Sequence, residues 1–476
     1  MSLNRREFLL SAGAALAAGC SARLLAPGET ESLRRLILLY TNDEHGWMEP
    51  YQDTAGAAGV ARLWRGNEGL TAGGPFLVLS GGDMWTGPAL STALAGESMA
   101  DVMNAMGYQA AALGNHDFDF GLSALRARAA QSSFPFLSAN LRERQTGEIP
   151  DFAAPFLIRE VNGVRVGVIG LTTTETAVDT RPEAVAGLRF LPYKDVVPEA
   201  ARLAREQGAE LIILLTHLCA GETRGLAPLA AELGIPLIAG GHCHEEISEI
   251  AEGVQLIESG YFMRGYVRVE LLFDRTAGKV QQMRVEWIRN RGRRRDEQIL
   301  ALMEHWRGRT DPAIWEPVGY SDRQIDRTSA EMAALLLPAW LEAWPQAQVA
   351  LAEPRYVQQD LYPGEITPAS LISLLSTNNQ LVEIELSGAQ LQEVIESRHP
   401  LVWGPELQGG PPRPDHNYRV LVPDNLYRGG WYYQFQELDP DPVLTGIEWR
   451  APTLDWIRKR HSSEDQPISV LLPTLP

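Results

Sequence analysis

Short apolar runs alternate with stretches of helical periodicity over the first 290 residues of this 476-residue chain. Continuous apolar runs of this length are typical of strands that are buried on both faces of a sheet. Strands that alternate with helices predict an α/β core. The five runs that matter for function are RLILLY (35–40), FLVLS (76–80), YQAAAL (108–113), LIILL (211–215) and PLIAG (236–240).

Glycine and polar residues follow each of these five runs directly. The segments are TNDEHG (41–46), GGDMWTG (81–87), GNHDFD (114–119), TH (216–217) and GHCH (241–244). Ligand sites in an open α/β sheet lie outside the carboxyl ends of the strands, so we expect the five segments to build one site. One histidine at such a place is more often structural, but five of the chain's nine lie here, at His45, His116, His217, His242 and His244.

The side chains in these segments are of metal-binding types. Imidazole mixed with carboxylate and amide groups suits zinc, manganese, iron or cobalt, and the lack of four clustered cysteines excludes a Cys₄ zinc site. Seven ligands are too many for one ion, so we predict two divalent metal ions that share one carboxylate. The predicted ligands are Asp43, His45, Asp83, Asn115, His217, His242 and His244.

These motifs, with SGYFMRGYVRVEL (259–271), resemble those of the calcineurin-like metallophosphoesterases, and within them the bacterial 5′-nucleotidase group. The resemblance implies an α/β fold: a four-layer αββα sandwich over residues 36–290, a linker helix over 291–317, and a smaller α+β substrate domain over 318–476. It implies that Asp83 bridges the ions. The first ion would have Asp43, His45, Asp83 and His244 as ligands, and the second Asp83, Asn115, His217 and His242.

His116 and Asp119 match the catalytic dyad of that family. Asp119 lies about one helical turn beyond His116, so its carboxylate can orient the ring and hold it charged. A charged imidazolium that faces the metals can stabilise the leaving oxygen while a metal-bound hydroxide attacks the phosphorus. For Asp117, between the two, we favour a capping role.

The C-terminal half resembles the substrate domain of the same group in PGEITPASLISLL (363–375), NNQLVEIELSGAQLQEVIE (378–396) and YRVLVPDNLYRGGWYY (418–433). Arg355 matches a phosphate-binding arginine, but Thr377 and Asn425 stand where the family has base-stacking phenylalanines. We therefore predict Arg355 and Tyr427 as substrate-binding residues, with a base platform that is missing or rebuilt from Tyr427, Trp431 or Tyr432.

The sequence thus favours an exported phosphate-ester hydrolase of the 5′-nucleotidase kind. Two alternatives remain: a thiosulfohydrolase of sulfur oxidation, a family relative that departs from the Gly-Asn-His motif kept here, and a metal-binding lipoprotein whose catalysis has decayed. The net charge of −18 argues against nucleic-acid binding. It also makes a metal cluster useful, because a small anionic substrate needs local positive charge. No protein partner is evident from the sequence.

Residues 1–20 have the pattern of an export signal, with the twin arginines Arg5 and Arg6 before a small apolar run. Cys20 ends a segment that resembles a lipoprotein cleavage site. We therefore expect a periplasmic or cell-surface protein with a possible lipid tether at Cys20. For the other two cysteines, Cys219 and Cys243, we favour separate small apolar residues packed under the site over a disulfide.

Overall fold

The computed structural model describes residues 32–407, 410–429 and 433–473, and within them two six-stranded sheets lie face to face. The first sheet has the spatial order β14 (Lys279–Arg289), β13 (Gly265–Asp274), β1 (Leu33–Thr41), β2 (Phe76–Ser80), β3 (Ala110–Ala112) and β4 (Phe136–Leu137). The second has the order β11 (Glu246–Ala251), β12 (Val254–Ser259), β10 (Leu237–Ala239), β9 (Leu211–His217), β7 (Val164–Thr172) and β6 (Phe156–Val161). Strands β1 to β4 are parallel, as are β7, β9, β10 and β12.

Helices cover the outer face of each sheet. The first sheet packs against α1 (Gly56–Leu63), α2 (Ala89–Thr92), α3 (Glu97–Met106) and α4 (Gly121–Gln131). The second packs against α7 (Tyr193–Glu206) and α8 (Ala220–Glu232). Between β7 and α7 lie the short helices α5 (Thr176–Asp179) and α6 (Pro182–Val185), and β8 (Leu188–Phe190), which pairs with β5 (Leu141–Glu143).

Strand β1 shows why the sheets form inner layers. Leu36, Leu38 and Tyr40 pack with side chains of the second sheet, whereas Ile37 and Leu39 pack with the helices. Because alternate side chains of a strand point to opposite faces, an apolar run fills both layers of core. The predicted four-layer αββα sandwich is confirmed.

Helix α9 (Glu297–Arg307) lies in the stretch predicted to be a linker, but it packs against α1, α2 and α3 of the sandwich. Its side chains Ile299 and Trp306 are fully buried in the same core as those helices. The Asp296 carboxylate accepts from Nη1 of Arg65 at 2.6 Å, which fixes the start of the helix. The helix is therefore part of the first domain's packing.

The C-terminal domain has a five-stranded sheet with helices on both faces, in agreement with the predicted α+β domain. Its strands, in spatial order, are β19 (Leu401–Trp403), β16 (Val349–Ala352), β20 (Asn417–Pro423), β18 (Gln380–Ser387) and β21 (Val443–Glu448). A separate ribbon pairs β15 (Gly319–Ser321) with β17 (Gly364–Ile366). The helices are α10 (Ala330–Ala343), α11 (Pro368–Leu374), α12 (Gly388–Arg398), α13 (Asp424–Arg428), α14 (Phe435–Leu438), α15 (Ala451–Lys459) and α16 (Ile468–Leu471).

The two domains meet at helices that follow β2 of the first sheet and β7 of the second. Helix α11 packs on α2, where the backbone N–H of Ala89 donates to Oγ of Ser373 at 3.1 Å, and α13 packs on α5. The C-terminal domain therefore closes one side of the volume in front of the strand ends.

The predicted export signal and the lipid-attachment residue Cys20 lie outside the described residues. Among the residues that the structure does describe, no helix combines the length and apolar character needed to cross a membrane.

Candidate metal centre

Two groups of side chains meet at the carboxyl ends of the parallel strands. One group is Asp43, His45 and His244, and the other is Asp83, His217 and His242. Within each group the three ligand atoms lie within 4.8 Å of one another. The structure thus brings together the segments that follow β1, β2, β9 and β10, and its two groups suggest a dinuclear metal site.

Asp83 touches both groups. Its Oδ2 lies 3.1 Å from Nε2 of His217 and 3.6 Å from Nε2 of His45, which belong to different groups. Asn115, after β3, joins the second group, because its Oδ1 lies 3.2 Å from Nε2 of His217. The predicted ligand set is therefore assembled in one place, with a carboxylate at its middle.

Five of these side chains stand on left-handed backbone. The φ angles are 52° at Asp43, 46° at His45, 59° at Asp83, 77° at His242 and 60° at His244. Such angles are uncommon for residues other than glycine and cluster at functional sites. The turns that produce them bend the chain sharply after each strand and direct the side chains into the shared volume.

Glycine at position 114 allows the segment after β3 to approach the Asp83 carboxylate closely. A Cβ on Gly114 would stand 2.1 Å from Oδ1 of Asp83, so any larger residue would displace that carboxylate. The same Oδ1 accepts a hydrogen bond from the backbone N–H of His116 at 2.8 Å. The segment after β3 is thereby joined to the central carboxylate.

Hydrogen bonds orient two of the rings. Nδ1 of His45 donates to the carbonyl of Thr86 at 2.9 Å, and Nδ1 of His217 donates to the carbonyl of Gly81 at 2.8 Å. A ligand histidine usually makes such a bond with the nitrogen that does not bind metal. Both rings therefore present Nε2 to the centre.

Charge states also suit metal binding. Burial lowers the pKa of His45 and of His242 to about 4, which keeps both rings neutral. Burial would raise the pKa of Asp43, but the hydrogen bond and charge of His244 outweigh it and lower the pKa to about 2. His217 differs: despite burial, the Asp83 carboxylate raises its pKa to about 10, so metal binding there would displace a proton. Neutral imidazoles, carboxylates and an amide fit zinc, manganese, iron or cobalt.

The predicted dyad is formed. Nδ1 of His116 donates to Oδ2 of Asp119 at 2.8 Å, and the His116 ring lies 5.3 Å from the His45 ring, centroid to centroid. Burial opposes a charge on His116, but Asp119 and then Asp83 outweigh it and raise the pKa of His116 to about 10. The ring is 30% exposed, so an approaching ligand can reach it.

Asp117 is a buried cap, as its position in the sequence indicates. Its Oδ2 accepts from the backbone N–H of Gly114 at 2.8 Å and of Asp83 at 3.1 Å, and its Oδ1 accepts from that of Met84 at 2.8 Å. Burial raises the pKa of Asp117 to about 7. The side chain therefore joins the segments after β2 and β3 behind the centre.

Sequence reasoning did not single out three further residues at this site. Asp179 at the end of α5 places Oδ2 3.7 Å from Nε2 of His242, and Arg181 donates to the carbonyl of Asp119 at 2.8 Å. The Tyr261 ring stacks on the His244 ring at 4.9 Å. Tyr261 lies within a quoted motif, but Asp179 and Arg181 follow no apolar strand directly, so the strand-end pattern could not find them.

The two substrate-binding residues predicted in the C-terminal domain differ in their exposure. Arg355 is exposed in a 3₁₀ turn (Pro354–Tyr356) after β16, with its guanidinium 5.2 Å from the Tyr356 ring centre. Tyr427 is 8% exposed in the domain core and donates its hydroxyl to the carbonyl of Asp439 at 2.9 Å. The Tyr427 ring packs inward from α13, and its role in substrate binding stays a prediction. Trp431 and Tyr432 lie outside the described residues.

The prediction for Cys219 and Cys243 was wrong. Cys219 and Cys243 form a disulfide, with Cα atoms 5.1 Å apart, where separate residues were expected. The strands β9 and β10 that precede them are direct neighbours in the second sheet, with Ile238 paired to Leu214. That adjacency brings the two segments together.

Comparison with known proteins agrees with this architecture. Residues 38–246 match the family model for calcineurin-like phosphoesterases, and residues 316–418 match the model for the 5′-nucleotidase C-terminal domain. The 5′-nucleotidase of Vibrio cholerae serotype O1 is 33% identical over 270 residues, which cover 54% of this chain and 48% of that protein. The chain spans about half the length of the curated relatives it matches.

Solved structures share the fold. A 5′-nucleotidase precursor from Thermus thermophilus matches with a TM-score of 0.74 at 20% identity, covering 90% of this chain and 97% of that one. The sulfate thiohydrolase SoxB of Thermus thermophilus matches with a TM-score of 0.71 at 19% identity, covering 90% and 94%. At such identities the likeness shows the fold alone.

Proposed function

We propose that this chain, which belongs to the calcineurin-like phosphoesterases and carries a 5′-nucleotidase C-terminal domain, is a dinuclear metallohydrolase that cleaves phosphate esters. The observation that carries the proposal is the position of Asp83, which belongs to one candidate metal-binding group and lies 3.6 Å from His45 of the other, beside the His116–Asp119 pair. Nucleoside 5′-monophosphates or related phosphate esters are the proposed substrates, with phosphate and an alcohol as products.

The proposed ligands divide between two sites that share Asp83. Asp43, His45 and His244 would complete the first site, and Asn115, His217 and His242 the second. When bound, two divalent ions would supply Lewis-acid polarisation of the phosphoryl group and lower the pKa of a water molecule toward neutrality. The carbonyl-bonded His45 and His217 are already oriented for that role.

His116 would act on the alcohol side of the reaction. Its Nδ1–H is held by Asp119, which leaves Nε2 to hydrogen-bond the ester oxygen that departs, or to donate a proton to it. The raised pKa keeps the ring charged at neutral pH, so it can stabilise negative charge as that charge develops. Arg181, through the Asp119 carbonyl, would help to fix the segment that carries the dyad.

Arg355 is the proposed contact to the substrate's anionic part. It is exposed, and it lies on the domain that closes the site. Apart from Arg355, two aromatic rings that could stack on both faces of a nucleotide base are not evident among the described residues. The backbone carbonyl of Thr377 accepts from Nε1 of Trp449 at 2.9 Å, and Asn425 offers no ring. We therefore propose a weak preference for nucleotides over simple phosphate esters.

A panel of hydrolysis assays on metal-loaded protein tests the proposal. The panel contains AMP, a UDP-sugar, a cyclic nucleotide, a plain sugar phosphate and a thiosulfonate adduct. We expect turnover of the phosphate monoesters, with AMP favoured over the sugar phosphate by about tenfold or less, because each lost base stack forfeits on the order of 1–3 kcal/mol. Turnover of the thiosulfonate alone would favour the thiosulfohydrolase instead, and no turnover of any compound would favour a metal-binding protein without catalysis.

We further propose export by the twin-arginine route, with a possible lipid anchor at Cys20. The support is the sequence pattern around Arg5 and Arg6. Replacing both with lysine should leave precursor in the cytoplasm, and cell fractionation would reveal it. Efficient export of that variant would contradict the route, and an unmodified Cys20 in the mature protein would exclude the anchor.

A further inference from the structure

The Cys219–Cys243 disulfide lies within the sequence segments that carry metal-ligand side chains. Cys219 is two residues after His217, and Cys243 stands between His242 and His244. The two ends of this link differ in how firmly the rest of the fold holds them.

The Cys219 end is anchored by a helix. Cys219 precedes α8, and its backbone N–H donates to Oε2 of Glu222 at 3.2 Å. Oε1 of Glu222 in turn accepts from the Tyr193 hydroxyl at 2.7 Å. This end of the link is therefore fixed relative to the second sheet.

The Cys243 end is held mainly through its backbone. The N–H of His242 donates to Oδ2 of Asp43 at 2.9 Å, and both His242 and His244 stand on left-handed backbone, with φ of 77° and 60°. Within the described ranges, however, neither of their rings donates to a backbone carbonyl, as the rings of the other two histidine ligands do. The two rings without carbonyl support thus flank Cys243, the residue at which the covalent link attaches.

Cys243 is exposed, so reagents in solution can reach the link. It can form by exchange with a small-molecule disulfide. The two protein thiols are oxidised, the protein S–S bond forms as the reagent's S–S bond breaks, and both protons pass to the reagent, which leaves as two thiols.

We propose that the Cys219–Cys243 disulfide is a positioning link for the metal centre. It holds His242 and His244 in place, so that the chain retains its ions firmly only when oxidised. This inference rests on the proposed dinuclear site, and it adds that assembly of the site depends on the redox state of the compartment.

The test is zinc release from the full chain to an excess of a chromogenic chelator. Oxidised protein, protein reduced with a phosphine and freed of reagent without air, and the same protein reoxidised with oxidised glutathione are compared. We expect release about tenfold faster after reduction, as for loss of a group that orients a metal ligand, and recovery on reoxidation. The double variant C219S/C243S should release zinc as the reduced protein does.

A further control separates positioning from general stability. Asp296→Ala removes the N-cap of α9, where Oδ1 of Asp296 accepts from the backbone N–H of Ile299 at 3.1 Å. It leaves the sulfur link and its anchor at Glu222 in place, so zinc release should stay at the wild-type rate while the melting temperature falls. Equal zinc release from oxidised and reduced protein would overturn the inference. The readout is retained metal, so it does not depend on which ester, if any, is cleaved.

Discussion

Nδ1 of His116 donates to Oδ2 of Asp119 at 2.8 Å, which leaves Nε2 of the same ring without a described partner and 30% of the side chain exposed. The pair stands beside the proposed metal ligands, and neither residue belongs to the two candidate metal-binding groups. Its expected contribution is to the chemical step, separate from metal binding.

His116→Ala should therefore lower kcat by about 10²–10⁴, the usual contribution of a general acid, with the metal content unchanged. Kinetics and elemental analysis on the same sample provide the check. The exposed His305 on α9 gives a matched control, because His305→Ala removes an imidazole that belongs to neither candidate metal-binding group. A His116→Ala enzyme of normal rate would refute the role of the dyad.

Asp83→Ala should lower activity more than His116→Ala does. The Asp83 carboxylate lies 3.1 Å from His217 in its own group and 3.6 Å from His45 in the other, so its loss should remove activity together with at least one of the two ions. Equilibrium dialysis followed by elemental analysis counts the ions per chain. Two ions retained by Asp83→Ala would show that this carboxylate does not bridge them.

Arg355→Ala should raise KM by about tenfold for every anionic substrate alike, which corresponds to ~1.4 kcal/mol of lost binding. The reason is that an exposed guanidinium, whose charge acts on Asp179 at the site, can hold an anionic ester before the chemical step. Arg323→Ala is a matched control, because Arg323 is exposed in the same domain and pairs with Glu331 at 2.6 Å. A change confined to nucleotides would indicate that Arg355 contacts another part of the substrate.

Glu258 predicts a pH dependence of stability. The side chain is only 1% exposed, so its carboxyl group is shielded from water. Burial, with the charges of Asp43 and Glu245, raises the pKa of Glu258 from 4.5 to about 9. Between these values the folded chain holds a proton that the unfolded chain has lost, so stability falls as pH rises through this window.

Glu258→Gln mimics the protonated acid and should remove that loss. The free energy of unfolding at pH 8 should exceed that of the wild type by on the order of 2 kcal/mol, and the difference should vanish near pH 4.5. Denaturant titrations of both proteins without metal provide the comparison, since acid would release bound ions. The exposed Glu160→Gln should show no such trend, and a difference independent of pH would contradict the prediction.

Metal removal should destabilise the first domain. Without ions, the buried carboxylates of Asp43 and Asp83 repel each other, and five ligand residues keep strained backbone angles. Ions that bind only the folded chain add about 3 kcal/mol per site at a hundredfold excess over Kd. Dialysis against chelator should lower Tm by on the order of 10 °C, and added zinc should restore it. A Tm that is indifferent to metal would exclude tight binding at these residues.

The sequence was most informative where the chemistry sits at strand ends. Asp43, Asp83 and Asn115 each follow a buried apolar run, and a parallel sheet brings such ends together whatever the details of packing. The dyad was equally predictable from the sequence, because His116 and Asp119 are three residues apart in one segment.

The sequence pattern could not predict features that depend on which strands are neighbours or on which side of a helix faces the core. The disulfide follows from the pairing of β9 with β10, which the apolar pattern does not specify. Tyr427 lies on α13 with Leu426, and the helix directs both side chains into the core. Asp179 reaches His242 only because the connection after β7 folds back over the site.

The packing of helix α9 determines where a fragment that contains only the first domain can end. The last strand of the sandwich ends at Arg289, yet Ile299 and Trp306 complete the core beneath α3. A fragment that stopped at residue 290 would keep every proposed metal ligand but would open an apolar trough on its surface, the kind of patch that drives aggregation. The shortest catalytic fragment worth expressing therefore extends at least through Arg307, one helix beyond the point where the sheet is complete.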